Sequence, residues 1–311
     1  MKDMKKERMI NFRRILLEDK PLYDEYLAKE GERGCEFSFA NIYLWGRQNI
    51  AIQDDSVIIF SQFNRRSVYP YPLGRHDVHA AFDAIIDDAH ARGIACRISG
   101  ITSEGREKLE NFYPGRFRFH SDEGSYDYVY SIDDLADLPG KKYDAKRNHI
   151  RRFVDAYPDY RVEPIEASNT AEVEKFLDEW YEKKLTDNPD ADFHMERVAI
   201  GKALRDRAAL EMDGIVIRSG NEIMAMTLGG RLSCDTFDVN FEKARGDVQG
   251  AYAIVNRELA RYIREKYPDI RYLDREEDMG LEGLRRAKQS YHPHHMIKKY
   301  WACLLEEEYE Y

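Results

Sequence analysis

Apolar and polar residues follow strand-like and helix-like periods over roughly the first 133 residues. Residues 50–62 alternate around Asp54 and Asp55, which predicts two strands joined by a turn. An amphipathic helix is predicted to end at Gly93, because glycine readily adopts the left-handed conformation that ends helices. With a further strand over Asp127 to Ile132, this part of the chain is predicted to be a mixed α/β unit.

The second half of the chain repeats this order of elements. A strand precedes two helices, three further strands and a long amphipathic helix over 248–265. After this helix come a short strand ending at Asp274, another helix and a last strand from Met296 to Leu305. The repeated order predicts an α/β fold with mixed sheets, built from two related domains at 1–140 and 141–311.

Residues 141–153 form the most basic stretch of the chain, with six cations and one acid. In a helix, Lys146 would lie on the apolar face with Ile150 and Phe153, and Arg147 would border that face. An inward cation near a helix N-terminus suits an anion, since the free N–H groups there add positive potential. The stretch fits a solvated basic helix equally well, and the sequence leaves both interpretations open.

A second lysine, Lys288, also falls on the apolar face of a predicted helix, with Tyr291. Such a lysine either extends its ammonium to water or meets an acid or an anion. Asp274, Glu276 and Asp278 are nearby acids, so an internal ion pair is one interpretation and a ligand site is the other.

Polar residues interrupt the strand predicted at 236–241. Asp238 and Asn240 share one of its faces, whereas a central strand of an α/β domain should be apolar on both faces. The strand therefore either faces water or places these two side chains in a cavity. Asp274, at the end of a neighbouring predicted strand, is a further candidate acid or base.

The loop over 242–251 connects this strand to the long helix and contains Arg245, Gly246 and Gly250. A glycine-bearing turn from a strand to a helix can hold a phosphate with its backbone N–H groups. The loop is therefore a candidate phosphate site.

Composition limits the class of protein. The chain is 43% hydrophobic and 34% charged, which predicts a globular protein, and no run reaches the ~18 apolar residues of a membrane helix. Without a secretory signal or paired cysteines, it is expected to be cytoplasmic and reduced. The net charge of −10 argues against general coating of nucleic acid. His292, His294 and His295 have no carboxylate or cysteine at ligand spacing, so no metal site is predicted.

Three motifs resemble a known family: CEFSFANIYLWG, KKYDAKRNHIRRF and REEDMGLEGLRRAKQSYHP. They are similar to a group of bacterial proteins related to the C-terminal, catalytic domain of phosphatidylglycerol lysyltransferases. The resemblance covers nearly the whole chain and implies a tandem pair of GNAT acyltransferase folds, as in Fem-type aminoacyltransferases. It also implies transfer of an aminoacyl group from tRNA to an amine or a hydroxyl, on a lipid or a small molecule.

The resemblance gives the candidate residues possible roles. Asp238 or Asp274 is predicted to bind the α-ammonium or to take a proton, because acyl transfer needs a base and a positioned amine. Asn240 is the third predicted catalytic residue. Four cations are predicted to meet the 3′ phosphates of the tRNA: Lys146, Arg147, Arg285 and Lys288.

Two alternatives to aminoacyl transfer stay open. The first is an N-acetyltransferase that binds acetyl-coenzyme A at Arg245, Gly246 and Gly250, although Val248 stands where the GNAT turn has glycine or alanine. The second is a binding protein that keeps the fold without catalysis.

Overall fold

A computed structural model describes residues 9–31, 33–46, 48–63, 66–75 and 78–305. The strands, in chain order, are β1 (Arg13–Arg14), β2 (Gln48–Gln53), β3 (Ser56–Phe63), β4 (Arg66–Pro70), β5 (Leu73–Gly74), β6 (Arg97–Ile101), β7 (Phe117–Ser121), β8 (Asp127–Ser131), β9 (Arg161–Pro164), β10 (Asp213–Ser219), β11 (Glu222–Arg231), β12 (Thr236–Ala244), β13 (Tyr272–Asp274), β14 (His295–Ile297) and β15 (Tyr300–Leu304).

The α-helices are α1 (Lys20–Leu27), α2 (Phe39–Leu44), α3 (His79–Arg92), α4 (Ser103–Phe112), α5 (Ile132–Asp137), α6 (Asp144–Ala156), α7 (Thr170–Asp187), α8 (His194–Leu210), α9 (Ala251–Lys266) and α10 (Glu282–Gln289). Within the described ranges, none of them combines the length and the apolar character that crossing a bilayer requires.

The chain divides into two compact units. The first comprises residues 1–127, 277–281 and 296–311, and the second comprises 128–276 and 282–295. The predicted boundary after residue 140 differs from this division, because 128–140 belong to the second unit and the C-terminal strand to the first.

An eight-stranded sheet forms the centre of the first unit. Its order is β1-β2-β3-β4-β6-β15-β7, and β5 pairs with β3. Strands β4 and β6 run parallel, and the pairs β1–β2, β2–β3, β3–β4, β3–β5, β6–β15 and β7–β15 are antiparallel. Helix α3 lies in this unit and ends at Gly93, whose φ of 67° is left-handed as predicted. The predicted last strand, 296–305, is in fact two strands, and β15 lies between β6 and β7.

The second sheet has seven strands in the order β14-β8-β13-β12-β11-β10-β9. Strands β12 and β13 are parallel, whereas their neighbours β11 and β8 are antiparallel to them. Helix α9 covers one face of the sheet and contacts β10, β11 and β12. Two mixed sheets with flanking helices confirm the predicted α/β fold class.

Helix α6 contacts the first turn of α9, and one glycine permits this approach. Gly250 has a φ of 84°, and a Cβ atom added there would overlap the carbonyl oxygen of His149. A side chain at position 250 would therefore be strained and would also push the two helices apart. This contact fixes the basic helix predicted at 141–153 beside the loop that follows β12.

Candidate functional site

The parallel strands β12 and β13 pair over only three residues and then separate. Asp238 and Asp274 are the last pair in register, and both are completely buried. Beyond them, β12 continues to Ala244, while the chain leaves β13 as a loop. We call the opening between the two strands the fork. A place where parallel strands diverge at their carboxyl ends is a common ligand position in α/β sheets.

Short hydrogen bonds position the two aspartates at the fork. The Asn240 side-chain amide donates to Asp238 Oδ2 over 2.8 Å. The backbone N–H of Glu276 donates to Asp274 Oδ1, also over 2.8 Å. The three predicted catalytic residues, Asp238, Asn240 and Asp274, therefore lie together at the fork. Their chemical roles stay predictions.

A β-bulge in the β11–β12 pair shapes the same region. Leu228 pairs with Phe241 and Gly230 pairs with Asp238, so an advance of two residues along β11 corresponds to an advance of three along β12. Gly229 lies at this shift, and a Cβ atom there would overlap the carbonyl oxygen of Asp238. The absent side chain lets β11 approach β12 closely at the position of the buried aspartate, and such bulges are frequent beside active sites.

An ion pair crosses the fork beyond the aspartates. Arg275 Nη2, on the loop after β13, lies 2.8 Å from Glu242 Oε1 on β12. Both side chains are nearly buried, at 13% and 12% exposure. With its amide oxygen facing the guanidinium, Asn256 of α9 accepts from Arg275 Nη1 and Nε, each over 3.3 Å. Arg275 thus ties β12, α9 and the loop together.

Two tyrosine rings flank this arginine. The guanidinium lies 5.7 Å from the ring centre of Tyr130 and 5.0 Å from that of Tyr291. Cation–π contacts of this kind stabilise a buried guanidinium without neutralising it. The charge of Arg275 is therefore held in place from several sides.

Lys146 of α6 lies at the edge of this cluster. Its Nζ is 3.7 Å from the ring centre of Tyr291 and donates to Ser290 Oγ over 2.6 Å. Burial lowers the pKa of Lys146 to about 8; the Arg275 charge acts in the same direction and the Glu242 carboxylate opposes it. A lysine with such a pKa is partly neutral near physiological pH, so it can both accept and donate a proton.

Lys288, the other predicted inward lysine, is only 8% exposed. Its ammonium donates to the carbonyl oxygens of Arg275 and Glu276. Its own carbonyl accepts from the Tyr130 hydroxyl over 2.8 Å. These contacts hold the loop after β13 in the position that carries Arg275 to the fork.

The other predicted cations differ in their surroundings. Arg147 donates to the carbonyls of Leu138 and Gly140, beyond the end of α5, and pairs with Asp144. Arg285 is partly exposed on α10.

In the loop over 242–251, which was predicted to hold a phosphate, the arginine is already paired with an acid. Arg245 pairs with Glu179 over 2.8 Å and donates to a backbone carbonyl of β11. It lines an open, mixed-charge pocket of about 770 Å³. Gly246 is exposed, while Gly250 lies against α6.

Sequence reasoning missed Glu242, Arg275, Asn256 and the two tyrosines. Glu242 continues the alternation of Asp238 and Asn240 along β12, and this spacing was the available signal. Arg275 and Asn256 give no such signal, because only the tertiary fold brings them to Glu242.

The first unit contains a separate buried charge cluster. Lys299 Nζ lies 2.7 Å from Asp127 Oδ1 and 2.8 Å from Glu36 Oε2. Cys35, Glu36 and Asp127 bring ligand-type atoms within 4.8 Å of one another, but the ammonium lies 3.8 Å from Cys35 Sγ and already provides positive charge there. The donor set is therefore satisfied by a lysine and does not fit a metal site.

The chain matches known proteins over most of its length. Residues 28–303 match the family described as phosphatidylglycerol lysyltransferase, C-terminal. An uncharacterised protein of Mycoplasmoides gallisepticum is 24% identical over 185 residues, which span 57% of this chain and only 56% of that protein.

Solved structures extend the likeness to the fold. A conserved protein of unknown function from Bacteroides thetaiotaomicron is 37% identical with a TM-score of 0.90, covering 96% of this chain and 100% of that one. L-PGS from Bacillus licheniformis is 16% identical with a TM-score of 0.68 over 93% of each chain. A tandem GNAT protein from the clavulanic acid biosynthesis pathway is 9% identical with a TM-score of 0.50, over 96% and 100%.

The solved structures confirm the predicted tandem GNAT-like fold. The family match confirms the predicted resemblance to the C-terminal domain of phosphatidylglycerol lysyltransferases. The match covers far more than half of the sequence. This chain belongs to the phosphatidylglycerol lysyltransferase C-terminal family, a family of acyltransferases.

Proposed function

We propose that the protein is an aminoacyltransferase that moves an aminoacyl group from the 3′ ester of aminoacyl-tRNA to an amine or hydroxyl acceptor. The observation that carries the proposal is the pair of buried carboxylates, Asp238 and Asp274, at the fork of an acyltransferase fold. Membership of the lysyltransferase family supports the aminoacyl donor.

The chemistry asks for groups of the kind found at the fork. An aminoacyl ester is already activated, so the protein must mainly position the acceptor, remove a proton and stabilise negative charge on the carbonyl oxygen. Buried carboxylates such as Asp238 and Asp274 suit the α-ammonium of the aminoacyl group. The buried Arg275 charge favours the developing oxyanion nearby.

We assign Arg147 and Arg285 to the terminal phosphates of the tRNA. Arg147 lies in the most basic stretch of the chain, and Arg285 is partly exposed on α10. Phosphate contacts are mainly electrostatic, so binding of the tRNA should weaken steeply as salt is raised.

The test supplies the purified protein with a panel of radiolabelled aminoacyl-tRNAs. Phosphatidylglycerol vesicles and soluble primary amines serve as acceptors in separate reactions, and loss of the labelled ester is followed. Asp238→Asn and Asp274→Asn should slow transfer by about 10²- to 10⁴-fold, as expected for loss of an acid–base group. Asp187→Asn, at an exposed end of α7, is the matched control and should leave the rate unchanged.

Acetyl-coenzyme A is the competing donor, through the turn that contains Arg245, Gly246 and Gly250. If acetyl-coenzyme A is consumed in the presence of an amine while every aminoacyl-tRNA stays intact, the protein is an N-acetyltransferase and the proposal is wrong. If neither donor is consumed, the proposal is also wrong and the chain is a binding protein that keeps the fold.

A further inference from the structure

Two buried oxygen atoms lie on neighbouring strands beside the fork. Thr227 of β11 is directly opposite Glu242 of β12 in the antiparallel register. Among the residues that the structure describes, neither Thr227 Oγ1 nor Glu242 Oε2 has a hydrogen-bond partner. Thr227 is completely buried and the Glu242 side chain is 12% exposed. Buried acceptors without donors are unfavourable, so this position should receive hydrogen bonds from a bound molecule.

The character of the two atoms limits what that molecule can be. Arg275 pairs with the other oxygen of Glu242, while the Thr227 hydroxyl adds a neutral acceptor. A primary ammonium offers three donors on one atom and carries the charge that a carboxylate prefers. A phosphate or carboxylate ligand offers no such donors and would be repelled by Glu242.

Lys146 is close enough to this pair of oxygens for the Glu242 charge to act on its ammonium. The groups acting on its ammonium are the Arg275 and Glu242 charges and, by contact, the Tyr291 ring and the Ser290 hydroxyl. The net result of burial and these charges is a pKa of about 8. Lys146 is thus positioned near a carboxylate that can hold an amine, in a state that exchanges protons near neutral pH.

We propose that Glu242, Thr227 and Lys146 form a primary-amine site: Glu242 Oε2 and Thr227 Oγ1 accept hydrogen bonds from the ammonium, and neutral Lys146 removes one of its protons. The proton passes to Lys146 Nζ and leaves a neutral amine with a free electron pair. The use of that amine rests on the proposed function. Its nitrogen forms a bond to the ester carbonyl carbon, the bond to the ribose oxygen breaks, and that oxygen takes a proton, so the products are an amide and free tRNA.

Binding without any donor substrate tests the site directly. Ethanolamine is titrated into the whole protein by calorimetry at pH 7, and choline, whose nitrogen has no N–H, is the matched ligand. Ethanolamine should bind and choline should not. Glu242→Gln should weaken binding by about 10- to 100-fold, the range for losing a hydrogen bond to a charged group. Glu174→Gln, an exposed carboxylate of α7, should bind like the wild type.

A second variant guards against loss of folding. Thr227→Val keeps the shape of the side chain and removes only the hydroxyl, and it should weaken ethanolamine binding about 2- to 10-fold. Equal binding of choline and ethanolamine, or wild-type binding by both Glu242→Gln and Thr227→Val, overturns the proposal and leaves the two oxygens to a buried water only.

The amine could belong to the acceptor or to the aminoacyl group itself. Glycine ethyl ester, which resembles an aminoacyl ester, is therefore compared with ethanolamine in both variants. Binding of ethanolamine that depends on Glu242 assigns the site to the acceptor. Binding of the amino ester that depends on Glu242, when ethanolamine binding does not, assigns the site to the α-amine of the donor and refutes its use as the nucleophile.

Chemical labelling tests the role of Lys146. Acylation by acetic anhydride across a pH series, read by mass spectrometry, should show half-maximal reactivity of Lys146 near pH 8. Lys175, exposed on α7, is the reference lysine, and Lys146 should reach half-maximal reactivity at a lower pH than Lys175 does. Lys146→Arg should abolish transfer to amines while ethanolamine still binds. If acylation of Lys146 depends on pH in the same way as acylation of Lys175, the proton-transfer part of the proposal is refuted.

The outcomes separate this inference from the proposed function. Amine binding that depends on Glu242, without consumption of any aminoacyl-tRNA, supports the site and refutes the aminoacyl transfer. Consumption of aminoacyl-tRNA that is unchanged in Glu242→Gln, together with unchanged amine binding, refutes the site and supports the transfer.

Discussion

Replacing Lys299 by methionine should strongly destabilise the first unit. Lys299 is 6% exposed, and its ammonium lies 2.7 Å from Asp127 and 2.8 Å from Glu36. Asp127 is completely buried and its second oxygen already accepts from the backbone N–H of Cys35. Methionine would fill the volume of the lysine stem but leave the Asp127 charge without its cation.

The size of the loss follows from the burial of the pair. Removing one partner of a buried ion pair costs about 3–5 kcal/mol, because the remaining charge stays buried without compensation. For a unit of this size, that corresponds to a fall in Tm of roughly 6–20 °C. Lys298→Met, at the exposed neighbouring position, should change the free energy of unfolding by less than about 0.5 kcal/mol.

The pH dependence gives a second signature. Burial opposes the Lys299 charge, but Cys35, Glu36, Asp127 and Glu277 raise the pKa of Lys299 well above its ordinary value. A raised lysine pKa contributes stability that is fully present below about pH 10.5 and is lost only as pH rises through the folded value. The contribution of Lys299 to wild-type stability should therefore stay constant between pH 5 and 8, because this whole range lies more than about two units below pH 10.5.

The variant should behave differently over the same pH range. Without Lys299, the buried Asp127 is easier to protonate when folded than when unfolded, so its pKa is raised in the variant. Stability from a raised carboxyl pKa is present at low pH and lost as pH rises. Lys299→Met should therefore recover stability from pH 8 to pH 5, measured by urea unfolding with circular dichroism.

A double variant separates the charge effect from packing. Adding Asp127→Asn to Lys299→Met removes the unpaired charge and should restore part of the lost free energy. The reasoning is refuted if Lys299→Met is as stable as Lys298→Met, or if the double variant is no more stable than the single one at pH 8.

Three further changes test the second unit. Gly250→Ala should lower the free energy of unfolding by more than about 1 kcal/mol, because φ is positive and a Cβ atom clashes; in urea unfolding, Gly246→Ala, with open space around it, should stay close to the wild type. Arg275→Leu should lower the free energy of unfolding by about 3–5 kcal/mol, because the Glu242 carboxylate would stay buried without its cation. A urea midpoint equal to that of the wild type would contradict a stabilising role for this ion pair. Because the pKa of Lys146 is lowered to about 8, its folded form releases a proton earlier than its unfolded form, so stability should rise between about pH 8 and 10.5. Lys146→Met should flatten that rise in urea unfolding at pH 8 and 10, and an unchanged slope would contradict the lowered value.

Hydrophobic periodicity predicted where strands and helices lie along the chain, but it did not predict which sheet each strand joins. Alternation predicted β12, and the glycine at position 93 predicted the end of α3. The C-terminal strand β15, however, inserts between β6 and β7 in the first unit, at a sequence distance of about 200 residues that no local pattern encodes. Contacts at such separations depend on the order in which strands pair, which hydrophobic periodicity does not specify.

The candidate site was predictable only in part for the same reason. Asp238 and Asn240 stood out because polar residues interrupted an apolar strand. Arg275 looked like one more charge in a polar loop, and its burial between two tyrosine rings follows from the fold alone. The burial of Lys288 followed from its place on an apolar stripe, but the backbone carbonyls of the loop after β13 that its ammonium meets could not be read from the sequence.

The two buried charge clusters lead to opposite conclusions about where a ligand can bind. In the first unit, Lys299 lies among several acidic groups and satisfies them internally, so the cluster has no evident need for a further cation. In the second unit, Arg275 satisfies one oxygen of Glu242, while the other oxygen and the facing Thr227 hydroxyl have no donor among the described residues. Buried polarity stabilises a fold when it is fully paired and is costly when it is not. The incomplete pairing beside the fork is therefore the stronger reason to place substrate binding in the second unit, and the amine titrations address that pairing directly.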